Sequence, residues 1–140
     1  MIVIITIIIL LLIISAISKS IMDLINFKFT ESVFSKLKNK EWFDPSESWK
    51  NKYKDRDPQK GAAFFGSTTF LSWTTDAWHF FQMIMLSCFQ LIIVLLLNQT
   101  LFVNYELTKL IVIDILSFIS IKTIFGFVFE LFWKKILLKK

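Results

Sequence analysis

The sequence predicts an all-α membrane protein: three transmembrane helices, the second and third folded back as an antiparallel hairpin, plus a cytoplasmic amphipathic helix lying at the interface. Three observations predict it. The mean hydropathy is +0.62 and 55% of the 140 residues are hydrophobic, a balance that water-soluble domains do not carry. Three apolar runs, beginning at Met1, Ala77 and Leu107, each approach the ~20 residues needed to cross a bilayer. The basic residues are also confined: ten of the sixteen Lys and Arg fall in residues 19–60 and four more in residues 134–140. With one cysteine, Cys88, and one histidine, His79, the chain can build neither a disulfide framework nor a zinc finger.

Residues 1–18, MIVIITIIILLLIISAIS, hold no charge and make about 27 Å of helix, enough for the hydrocarbon core. A secretory leader begins with a basic stretch, which is missing here, so the run is expected to stay as an anchor although Ser15, Ala16 and Ser18 could imitate a cleavage site. The basic segment 19–66 is expected to form two short helices. In the first, between Ile21 and Lys40, Met22, Ile25, Phe29, Val33 and Leu37 recur at spacings of three and four with Asp23, Lys28, Glu31, Lys36 and Lys38 between them, the amphipathic period. Such a helix either recognises anionic head groups or packs as a connector against its own bundle. The second starts at DPSE, with Asp44 as cap, Pro45 at the first helical position and Glu47 three residues beyond. It carries Trp49 and Tyr53 on one side and ends in the turn DPQKG, Asp57–Gly61.

Residues 67–97 are an interfacial lead-in and the second span, which runs from Ala77 to Leu97. Residues 98–106 are an external loop, 107–133 the third span and 134–140 a basic tail. Trp42, Trp49, Trp73, Trp78 and Trp133 are expected as interfacial anchors. Basic residues near span ends are retained on the cytoplasmic side, and the loop 98–106 has none. The amino terminus is therefore expected outside, with residues 19–66 and the carboxyl terminus cytoplasmic.

An ionisable side chain in hydrocarbon costs about 2.5–3.5 kcal/mol on insertion scales and normally faces protein or water. On a helical projection Ser72, Asp76, His79, Met83, Ser87 and Gln90 fall within about 80° of arc, a polar seam along the second span. Folding the third span back from Leu107 against Leu97 brings Asp114 level with Gln90, Lys122 with Gln82, and Glu130 with the Asp76 region. Lys122 then lies about 12 Å along its own helix from both Asp114 and Glu130, too far to pair with either.

Three readings compete for this seam. Asp76, His79 and Glu130 could converge on a metal ion or relay a proton. Asp76 could cap the second span, whose first N–H groups need acceptors. The polar face could join helices in an assembly. A hydrolase built from Ser72, His79 and Asp76 fails because Ser72 and His79 sit about 10 Å apart on one helix. Gly61, Gly66 and Gly126 are isolated, so no phosphate loop exists. Seven acids dilute the ten bases of residues 19–60, which argues against nucleic acid. No catalytic, cofactor-binding or metal-ligating residue is assigned, and Cys88 is expected to pack as a small hydrophobe.

SWKNKYK (Ser48–Lys54), DP (Asp57, Pro58), GSTT (Gly66–Thr69) and TDAWHFF (Thr75–Phe81) together resemble a signature of small uncharacterised membrane proteins of Bacteroidota bacteria. The resemblance covers residues 20–85, roughly half the chain. It implies membrane residence and a bacterial or bacteriophage origin, and it brings no activity or ligand. The expected role is a non-catalytic accessory or structural subunit of a cell-envelope complex or virion membrane. Its expected partners are anionic lipid head groups and other membrane subunits or copies of itself. A small ion- or proton-conducting oligomer is the alternative.

Overall fold

The computed structural model describes residues 2–101 and 106–131; Trp133 and the tail 134–140 lie outside them, as do residues 102–105 of the expected loop 98–106. Three α-helices dominate: α1 (Ile2–Lys28), α2 (Ala77–Leu101) and α3 (Leu107–Leu131). All three are long and apolar enough to cross a membrane, so the chain has the build of an integral membrane protein. Between α1 and α2 the backbone is a succession of 3-10 turns. Among the described residues no strand forms, and only an isolated antiparallel bridge joins Tyr53 to Ala62. The chain divides into two compact units, Leu12–Leu86 and the remainder.

α1 is longer than expected. It passes through the first eight residues of the segment read as a separate helix and ends at Lys28, about 40 Å from its start. Ser15, Ser18, Met22 and Ile25 are buried and recur every three or four residues, which puts them on one face. Ser20 Oγ donates to the Ala16 carbonyl 3.0 Å away, and Lys19 pairs with Asp23 one turn on. An independent amphipathic helix does not follow. Phe29–Glu31 and Val33–Lys36 are 3-10 turns separated by an extended Ser32.

The cause is local. Ser32 Oγ donates to the Phe29 carbonyl at 2.6 Å and Ser35 Oγ to the Ser32 carbonyl at 2.8 Å, and such serine bonds compete with the helical ladder. Val33 and Leu37, assigned in sequence to the apolar face, are exposed.

The core of the Leu12–Leu86 unit gathers Ile25, Phe43 and Ala77, flanked by Ile21, Phe29, Phe34, Trp42, Trp78 and Phe81. Phe34 stacks on Phe43 with centroids 4.5 Å apart, and Trp42 meets Phe43 edge-on, an arrangement that adds to simple area burial. Trp42 Nε1 donates to the Thr74 carbonyl at 3.4 Å and Asn51 Nδ2 to the Thr75 carbonyl at 3.1 Å. These bonds fasten the intervening lobe to the start of α2.

Within the lobe, Asp44 accepts from the Ser46 N–H and hydroxyl, so it caps a turn, and the helix expected after it is the 3-10 turn Ser48–Lys52. Trp49 and Tyr53 do meet, edge to face at 6.3 Å. Asp57 accepts from the Gln59 N–H at 2.9 Å and caps the turn Pro58–Lys60. Arg56 joins Glu41, Glu47 and the Glu47 carbonyl. The fully buried Ser67 donates to the Lys52 carbonyl at 2.8 Å. Gly66 has φ +83°, and a Cβ there would come within 2.9 Å of the Phe70 ring, so the turn beside Ser67 needs glycine.

Candidate functional site

The residues of the polar seam fall into two groups, one in each unit. In the Leu12–Leu86 unit the group is Asp76 with His79. Asp76 is 4% exposed and immediately precedes α2. Its Oδ1 accepts from the His79 backbone N–H at 2.9 Å and its Oδ2 lies 2.7 Å from His79 Nδ1. Helix starts leave N–H groups without intrahelical partners, and a carboxylate at this position both accepts a bond and sits at the positive end of the helix dipole. Both Asp76 oxygens are thereby engaged by one residue.

Ser72 does not belong to the seam. α2 begins at Ala77, and Ser72 opens the 3-10 turn Ser72–Thr74, where its carbonyl accepts from Thr75 Oγ1 at 2.7 Å. A helical projection places Ser72 on that face only if the helix extends back through residues 72–76, and those residues form a 3-10 turn and a cap instead. Among the described residues no cluster of three or more His, Cys, Asp or Glu is gathered as for a metal ion.

The second group links α2 to α3. Asn98 Nδ2 donates to Asp114, and Lys122 Nζ donates to Ser87 Oγ at 2.8 Å. The sequence placed Asp114 beside Gln90 and Lys122 beside Gln82; both partners lie further along α2. The reason is that α2 continues to Leu101 instead of ending at Leu97, which displaces the register in that direction. Gln90 is 7% exposed, and its Oε1 has no hydrogen-bond partner among the described residues. Val94, one turn on, is also buried, and a buried amide oxygen left without a bond carries a desolvation cost.

Lys122 makes one further contact. Its ammonium stands 5.4 Å from the centroid of the Phe118 ring, one turn back on α3, within range of a cation–π attraction. None of the ion pairs among the described residues includes Lys122. The side chain of Glu130 lies outside the described residues.

Of the expected aromatic anchors, Trp42 flanks the buried core and Trp73 stacks near Phe80 at 6.1 Å. Trp78 meets His79 edge-on at 5.1 Å, and Trp49 Nε1 donates to the Ser46 carbonyl at 3.0 Å. Two participants escaped the sequence reading. Asn98 follows the apolar run and so reads as loop, yet an amide at the edge of such a run is the signal that points to it. Phe118 stands at i−4 from Lys122, the spacing at which helical side chains meet. No protein-family model, curated protein or solved structure matches the chain.

Proposed function

We propose that this protein is a non-catalytic accessory or structural subunit of a membrane assembly, seated in a cell envelope or the membrane of a virion. The carrying observation is α3. Within its candidate span no residue is buried, and Ile111, Val112, Ile115, Leu116, Ile119, Ile124, Phe125, Phe127 and Val128 are all exposed. Yet this helix bears Asp114 and Lys122, whose bonds to α2 go to neutral groups, Asn98 and Ser87. Lipid tolerates the apolar residues but not the ions. Contact with further protein answers both, because helix association in a bilayer relies on packing and polar bonds and not on hydrophobicity.

The proposal includes a topology. Asn98 pairs with Asp114 and Ser87 with Lys122: the number falls on α2 as it rises on α3, which supports an antiparallel hairpin. The distribution of lysine supports an external amino terminus, with residues 19–66 and the carboxyl end cytoplasmic. Lys36, Lys38, Lys50, Lys52, Lys54 and Lys60 then face the inner leaflet, whose anionic head groups attract basic segments at its surface.

The test is the mass of the particle extracted from the native membrane in a mild detergent, by light scattering with the micelle subtracted. A particle containing more polypeptide than one 16.5 kDa chain is expected. A single chain per micelle, at every detergent concentration down to the gentlest that extracts it, refutes the proposal.

A further inference from the structure

Lys122 lies three residues past Ile119, the midpoint of α3 (Leu107–Leu131), so its Cα is only about 4.5 Å from the middle of the helix. A lysine so placed usually extends its stem toward the nearer membrane surface. This one does the opposite. Its ammonium stands over the ring of Phe118, one turn toward the amino end, and so away from the nearer helix end. Its hydrogen bond goes to a hydroxyl, Ser87 Oγ, which supplies no countercharge. The side chain is exposed, and on the same side of α3 stand Ile115, Ile119 and Phe125, each about half exposed. Gly126, one turn beyond Lys122, would meet nothing within 4 Å if it carried a Cβ, so another backbone can come close there.

We infer that this face of α3, centred on Lys122 and Gly126, receives a transmembrane helix of a different protein that carries an Asp or Glu at mid-bilayer depth. The inference rests on the subunit reading above and names the partner's chemistry. Charge complementarity selects the occupant, since a carboxylate is the group that neutralises an ammonium held away from both surfaces. A second copy of this chain does not supply it. Copies inserted in the same direction bring equal residue numbers to equal depth, which sets Lys122 against Lys122. Asp114 of such a copy is eight residues, about 12 Å, off level, and is already bonded by Asn98.

The test uses the full-length chain, donor-labelled and reconstituted in phosphatidylcholine vesicles. The probes are acceptor-labelled polyleucine helices of about 21 residues with a central Asp, a central Asn, a central Leu, or the Asp moved two turns off centre. Energy transfer is expected to show the central-Asp helix binding about tenfold more tightly than the central-Leu helix. The displaced-Asp and central-Asn helices should fall well behind it. Lys122→Met should abolish the preference, Lys122→Arg should keep it, and Gly126→Leu should weaken binding of every probe.

Equal binding of the central-Asp and central-Leu helices to the wild-type chain overturns the inference, as does a preference that survives Lys122→Met. Lys122-dependent energy transfer between two labelled copies also overturns it and makes the copy the occupant. A large native particle combined with no preference among the probes sinks this inference alone, whereas one chain per micelle sinks the subunit reading beneath it.

Discussion

Asp76 shows how a charged residue can be both polar and structural. Its carboxylate takes the His79 N–H and faces the His79 ring, so its first consequence is a stable start for α2. Asp76→Ala is expected to lower resistance of the detergent-solubilised chain to denaturant by ~1 kcal/mol, with Asp76→Asn losing much less, because an amide oxygen still accepts the bond. Tryptophan fluorescence reads the transition, since Trp73 and Trp78 flank the cap. Equal losses for the two variants would sink the capping account. The cap was legible, because Thr75 and Asp76 immediately precede an apolar run and only a few residue types accept from helix N–H groups. Ser67 and Arg56 were not legible. Their partners, Lys52 and the pair Glu41 and Glu47, lie nine or more residues away, and nothing in local spacing announces a bond made by a chain reversal.

At the scale of elements, the three long helices could be read directly because an apolar run as long as the bilayer is thick has few other fates. Their ends could not. α1 continues to Lys28 and α2 to Leu101, and in both cases hydropathy falls before the helix does, because hydrogen bonding along the backbone does not stop where the lipid-like side chains stop. The segment 29–40 departs from expectation for a different reason: its apolar spacing is helical, but Ser32 and Ser35 divert the local carbonyls. The register between α2 and α3 gives the prediction at this scale. A double-mutant cycle on Asn98→Leu and Asp114→Leu should show a favourable coupling of about 0.6 kcal/mol, with ~1.7 kcal/mol as the upper end for such bonds. The control cycle on Gln90 and Asp114, the pair expected from sequence, should show none. Unfolding of the chain in mixed micelles measures both.

At the scale of the whole molecule, the proposed topology predicts sidedness. Single cysteines at Lys52 and Thr108, both placed in a Cys88→Ala background, should react with a membrane-impermeant maleimide from opposite faces of sealed vesicles. Labelling of both from one face would rule out the arrangement in which the lobe and the start of α3 are separated by α2. Trp42 and Asn51 close onto the carbonyls of Thr74 and Thr75, residues that leave the ribosome after them. During biogenesis the inner pairs of the lobe, Phe34 with Phe43 and Trp49 with Tyr53, can close early, but the indole N–H of Trp42 and the amide of Asn51 wait for their acceptors until translation has reached the doorstep of the next span.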